Sequence, residues 1–261
     1  MRRAVIAVLA CLAAVPSWAI ETTRVWVEGN EFKAELTDGT TLAGAALVGA
    51  VVSFADGRGG VTRVRIDRAE RDTRDPAGEV MLYELSTEGA DGRWQNLCGA
   101  DPDGRHLAFP LPGVWSEDGR YIPSATEFSL TCTGGAIGKC VRFGYKPWKE
   151  GLEPYYQTCV RMVRADYCGD GTGWTENGML IDIDDDRLIQ RSDGDPRLAF
   201  EAAWGPDGAL CVAHPRVPRN GSLEDVVRAC PARLAGKVGP ACSEENARAT
   251  SGARLFNRSK F

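Results

Sequence analysis

Residues 24–36 read Arg-Val-Trp-Val-Glu-Gly-Asn-Glu-Phe-Lys-Ala-Glu-Leu. Apolar residues largely alternate on either side of Gly29-Asn30. A period of two around such a turn is the pattern of a β-hairpin, whose successive side chains point to opposite faces. The same pattern continues along the chain. Leu42 to Phe54 carries another strand pair, and Asp56-Gly57 with Gly59-Gly60 turns into Val61-Thr-Arg-Val-Arg-Ile66, where Arg63 and Arg65 are expected to face water. Val80 to Leu85 is a further strand. The polar stretch 71–79, with Pro76 and Gly78, reads as a loop or linker.

Beyond it come Trp94, Phe109, Leu111, Trp115, Tyr121 and Phe128, separated by Asp-Gly turns at 91–92, 103–104 and 118–119. Strands with tight turns fit that spacing. Helical periodicity is confined to the second half. Tyr156, Cys159, Val160 and Val163 fall at three- and four-residue spacing within Leu152–Cys168, with Gly169 as the expected stop. Ser222 is a predicted N-cap for Leu223–Ala229, with Asp225 three residues on, and a third short helix is expected near Glu244–Ala249. The reading is an α+β fold: β-rich antiparallel sheets with two or three short helices in the C-terminal half. Thirty glycines and fourteen prolines suit many turns and few long helices.

Arg2 and Arg3 precede an apolar run, Ala4 to Val15, and then Pro16, Ser17 and Ala19. That is the three-part pattern of a cleaved export signal over residues 1–19, too short for a membrane span. Cleavage after Ala19 leaves 242 of 261 residues, starting at Ile20, and moves the formal net charge from −5 to −7. The expected location is periplasmic or extracellular. Val8-Leu9-Ala10-Cys11 is loosely like a lipobox, so a lipid anchor at Cys11 is the alternative. No transmembrane segment is expected in the mature chain. An acidic chain with scattered arginines excludes nucleic acid, whose phosphates demand clustered cations.

Eight cysteines remain after the signal: Cys98, Cys132, Cys140, Cys159, Cys168, Cys211, Cys230 and Cys242. An even number outside the cytoplasm implies four disulfides. Proximity in the chain suggests Cys132–Cys140, Cys159–Cys168 and Cys230–Cys242, with Cys98–Cys211 tying the two halves. All eight lie beyond residue 97, so residues 20–97 must fold on apolar burial alone.

Thr-Cys-Thr-Gly-Gly-Ala-Ile-Gly-Lys-Cys-Val-Arg-Phe-Gly-Tyr-Lys-Pro-Trp at 131–148 is followed by Cys-Val-Arg-Met-Val-Arg-Ala-Asp-Tyr-Cys-Gly-Asp-Gly at 159–171. With Phe200-Glu-Ala-Ala-Trp204 and Leu255-Phe-Asn-Arg-Ser259, these strings resemble the bacterial ADYC domain, named for the tetrapeptide found here as Ala165–Cys168. The resemblance covers roughly residues 95–260. It implies a domain of exported proteins with no assigned activity, so no catalytic residue can be carried over. The expected organisation is a signal at 1–19, an antiparallel β module at 20–90 and a disulfide-rich ADYC-like domain at 91–261.

Two functional readings compete. In the first, the chain is a non-catalytic binding module at the cell envelope, with Tyr145, Trp148, Tyr156 and Trp174 as an aromatic face for a protein or glycan. The bland counterpart is that these rings fill a core short of aliphatics. In the second, it is a secreted hydrolase using paired carboxylates near Asp166 and Glu176. There the counterpart is that Asp166 ends a helix, held by Arg161, Arg164 or a backbone amide. No zinc-type cysteine spacing occurs, and calcium is the cofactor the sequence leaves open. Asp182, Asp184 and Asp186 occupy positions 1, 3 and 5 of an EF-hand-like loop, but Arg187 and Asp193 stand where it needs Gly and Glu. A different loop drawing on Asp170, Asp182, Asp184 or Asp186 is the remaining calcium candidate, against a plain strand with its polar face in water. His106 and His214 are the two histidines, and neither is placed to activate a cysteine.

Overall fold

The computed structural model describes residues 22–55, 60–101 and 103–261. The expected signal, its cleavage site and Cys11 lie outside them. The hairpin forms as read: β1 (Thr22–Glu28) and β2 (Glu31–Leu36) pair antiparallel, and β3 (Thr41–Ala43) adds to β2. Phe32 and Ala34 enter the core at alternate positions. The turn is docked onto the next sheet, because the Asn30 amide donates to the Met81 carbonyl at 2.8 Å and accepts the Met81 N–H at 3.0 Å.

That next sheet is built from β4 (Val51–Ala55), β5 (Val61–Arg71), β6 (Met81–Glu88), β7 (Trp94–Asn96), β8 (Leu107–Pro112) and, after a two-stranded ribbon of β9 (Val114–Trp115) and β10 (Tyr121–Ile122), β11 (Phe128–Cys132). Its order is β11-β8-β6-β5-β4, all antiparallel, with β7 on the end of β6. Val64 and Ile66 are fully buried, and Arg63 and Arg65 lie outside with their guanidiniums 5.6 and 4.8 Å from the Trp94 ring centre. Because β6 pairs with β5 on one side and β8 on the other, the sheet runs across the boundary expected near residue 90. One core cluster likewise extends from Phe32 to Leu255.

The polar stretch 71–79 is not a linker. Asp72 is ion-paired with Arg142, and Asp75 receives the Lys146 ammonium at 2.8 Å besides backbone N–H groups of its own turn.

The second half carries helices and a four-stranded sheet. α1 (Ala136–Arg142) and α2 (Glu153–Arg164) pack together. β12 (Ile181–Asp185), β13 (Ala199–Gly205) and β14 (Gly208–Val212) come next, followed by α3 (Leu223–Ala229), α4 (Pro231–Leu234), α5 (Glu244–Arg248) and β15 (Leu255–Ser259). The C-terminal β15 lies inside the sheet, in the order β12-β15-β13-β14, and α2 packs on that sheet. Ser222 and Asp225 form the expected reciprocal capping box, at 3.2 and 2.9 Å.

α2 ends before the expected glycine. Its last residue is Arg164, and Ala165 takes the left-handed conformation (φ 51°), its N–H returning to the Arg161 and Met162 carbonyls.

All four suggested cysteine pairings are overturned. The bonds are Cys98–Cys132, Cys140–Cys159, Cys168–Cys230 and Cys211–Cys242, with Cα separations of 5.4–5.7 Å. Packing decides the partner: Cys140 and Cys159 meet because α1 lies against α2, although Cys132 is nearer to Cys140 in the chain.

Candidate functional site

The tetrapeptide Ala165–Cys168 forms a knot below the surface. The Asp166 carboxylate, fully buried, takes the Arg161 guanidinium at 2.5 Å and the backbone N–H groups of Gly169, Asp170 and Gly171 at 2.9, 3.2 and 3.0 Å. Arg161 also donates to the Asp118 carbonyl at 2.6 Å and the Pro206 carbonyl at 3.4 Å, so it joins α2 to two distant turns. Asp166 is therefore held as in the bland reading, beside the end of α2, by Arg161 and three backbone N–H groups. Its proposed companion lies elsewhere: Glu176 is ion-paired with Arg219 near the surface, and hydrogen bonding from that guanidinium holds its carboxyl below the usual value.

Tyr167 stacks on Trp204 with ring centres 5.3 Å apart and donates its hydroxyl to Glu201 at 3.0 Å. Burial first, and the Glu201 charge next, push this phenol well up, so it stays a donor. Glu201 and Arg216 form an ion pair at 2.9 Å with both side chains buried. Arg216 also donates to the Val163 and Met162 carbonyls at the end of α2, and Asn257 donates to Glu201 while accepting from Trp204. Burial alone would raise the Glu201 carboxyl. The Arg216 charge and the hydrogen bonds from Arg216, Ser259 and Asn257 outweigh it and hold the group below its ordinary value. Glu201 and Arg216 are absent from the sequence-based candidates, because nothing local reveals that they meet.

The four aromatic candidates do not form one face. Tyr145 and Tyr156 are fully buried. The first donates to Asp185 at 2.8 Å, while the second packs edge-on against Trp115 and Tyr121. Trp148 and Trp174 are half-buried. Trp148 covers the Gly29 turn of the first hairpin, and Trp174 lies over Gly221. Tyr145 and Tyr156 thus belong to the core of the bland reading, while Trp148 and Trp174 each lie over a loop glycine.

The aspartates are equally dispersed. Asp184 is paired with Arg248 at 2.7 Å and Arg258 at 2.9 Å, Asp182 accepts from Ser192 and the Asp193 N–H, and Asp170 accepts the Thr172 N–H. Burial first, and the neighbouring Asp186 carboxylate next, push the Tyr155 phenol up. No group of three His, Cys, Asp or Glu side chains that could hold a metal ion occurs among the described residues. The bland version needs amending too: Asp182, Asp184 and Asp185 are buried, not in water, because arginines and loop amides cover them.

What the sequence did not single out is a cleft of about 540 Å³ beside α1. Its lining comes from the β11–α1 turn and α1, from Val163 and Arg164 at the end of α2, and from residues 175–181, which turn at Asn177-Gly178 before β12 begins. Ile137, Phe143, Val163, Met179 and Ile181 give it apolar surface, while Lys139 and Arg164 line it with positive charge. Two other charged residues reach it, Glu176 and Arg216, and both are already ion-paired. The volume lies in the range of small-molecule sites, as does the mixture of apolar wall and few polar groups.

The molecule is thus a disulfide-stapled, antiparallel α+β protein, whose four bridges belong to chains that fold outside the reducing cytoplasm. Among the described residues no helix is long and apolar enough to cross a membrane. The chain belongs to the ADYC domain family, whose match runs from residue 44 to residue 218, two thirds of the sequence. No curated protein and no solved structure matches it.

Proposed function

We propose that the protein is exported by the signal at residues 1–19 and serves, in the periplasm or outside the cell, as a non-catalytic binding module whose ligand site is the cleft beside α1. One observation carries the reading: a cleft of small-molecule size, with apolar side chains in its lining, stands beside two disulfides that tie down β11, α1 and α2. Cys98–Cys132 fixes the strand that enters the cleft, and Cys140–Cys159 fixes the two helices that line it. A cross-linked wall suits binding, since less ordering is left there to oppose it. Of the two carboxylates named for a hydrolase, Asp166 is buried outside the cleft and ion-paired with Arg161, and Glu176, in the cleft lining, is ion-paired with Arg219.

Two measurements test this. The intact mass of protein exported by its own signal should begin at Ile20; a lipidated Cys11 would move the module to a membrane surface. A set of small acids, amines and neutral compounds, screened by amide ¹H–¹⁵N shifts, should perturb residues 131–139 and 175–181 and be recovered with unchanged mass. Recovery of a cleaved compound would replace binding with catalysis.

A further inference from the structure

The charge inside the cleft differs from that of the chain around it. The formal net charge is −5, yet the charges at the cleft do not reflect that excess of acid. Glu176 is neutralised by Arg219 and Arg216 by Glu201. Lys139 and Arg164 are in no ion pair among the described residues; Arg164 donates one terminal nitrogen to the Gly171 carbonyl, and its other N–H groups remain for a ligand. Two uncompensated cations therefore border a surface made of Phe143, Val163, Met179 and Ile181, with half-exposed Leu180 at its rim. Cations beside apolar wall, with part of the field shielded from water, favour a molecule that is apolar along its body and anionic at one end.

We propose that the cleft takes a small amphiphilic carboxylate, its aliphatic body on the apolar wall and its anionic group held by Lys139 and Arg164. The inference rests on the cleft being a ligand site, as proposed above, and adds the class of ligand. A carboxylate suits the arrangement because a guanidinium and an ammonium offer it several charge-assisted donors. The size of the cleft fits a chain of small-molecule length, not a protein partner, whose interface would be larger and flatter.

The test uses the disulfide-intact chain and three probes of equal length, decanoate, 1-decanol and decylammonium, below their micellar concentrations. Amide shifts locate binding and calorimetry measures it. Decanoate should perturb residues 134–139 and 175–181 and bind at least tenfold more tightly than decanol, with decylammonium weakest. Lys139→Gln and Arg164→Gln should each weaken decanoate by roughly five- to tenfold, the loss of one charge-assisted contact at a partly solvated site, and leave decanol unchanged. Equal binding of decanoate and decanol, with both variants silent, overturns the anionic ligand while the cleft stands as an apolar site. Shifts at these residues with none of the three probes would overturn the cleft and the carboxylate together. Thermal unfolding of each variant at the wild-type temperature would show that a lost affinity is not a lost fold.

Discussion

Replacing Asp166 by Asn tests whether the signature tetrapeptide is a structural knot. The exchange keeps the size of the side chain and one acceptor oxygen but removes the charge. Arg161 would then be a buried guanidinium without a counter-ion, and one of its terminal nitrogens already lacks an acceptor among the described residues. The new amide would also point a donor at a site lined by the Arg161 guanidinium and three backbone N–H groups. Breaking a buried pair from one side costs about 3–5 kcal/mol, a large part of the roughly 5–15 kcal/mol by which a folded protein is stable. With a urea slope near 3 kcal/mol per molar, the midpoint of unfolding, measured with the disulfides intact, should fall by about 1 M or more. Arg161→Met added to Asp166→Asn should be no worse than Asp166→Asn alone, because it removes the stranded charge. If Asp166→Asn shifts stability by less than about 1 kcal/mol, the knot does not hold the fold and Asp166 must be reconsidered as a functional group.

Gly169→Ala should cost about 3 kcal/mol or more and sharply reduce recovery of native protein, since a Cβ there meets the Asp207 carbonyl oxygen at 1.7 Å with the backbone at φ +74°; normal recovery and midpoint would contradict the packing. Because the Glu201 carboxyl is held below its ordinary value of 4.5, it stabilises the fold fully above that pH and loses the contribution as pH falls through the lowered value. The stability gap between the wild type and Glu201→Gln should therefore be widest at neutral pH and narrow on acidification, whereas a gap that widened in acid would reverse the assignment. Non-reducing peptide mapping should recover the four bonds described above, and Cys140→Ala with Cys159→Ala should lower stability by roughly 2–4 kcal/mol, as expected for a bridge between residues 19 apart; an unchanged midpoint would mean that α1 and α2 hold together without it.

Local features were legible in the sequence, and long-range ones were not. The hairpin about Gly29-Asn30 and the Ser222 cap follow from short-range chemistry, alternation in one case and a side chain reaching an N–H three residues on in the other. α1 escaped because Gly138 sits within it. A glycine lowers helix propensity, yet a Cβ at that position would stand 2.4 Å from the Cys132 carbonyl oxygen, so close contact with the preceding strand requires it. Aromatic density over 145–174 was visible, but whether a ring faces water or a loop depends on residues as remote as Gly29 and Gly221. The cleft and the Glu201–Arg216 pair depend on the same kind of remote contact: segments 131–143, 163–164 and 175–181 line one cavity only after α1, α2 and β12 have packed.

The order of the cysteines along the chain has a consequence for biogenesis. If thiols were oxidised in the order in which they emerged, the first two neighbouring pairs would be native, Cys98–Cys132 and Cys140–Cys159. The next two would be wrong, because Cys211 emerges between Cys168 and its partner Cys230, and Cys242 comes last. The interlaced pair can be set correctly only once the chain is out as far as Cys242, or after shuffling of a misjoined bond through a mixed disulfide. The first half of the framework can thus be locked while the protein is still arriving. The second half depends on the completed chain or on a disulfide isomerase.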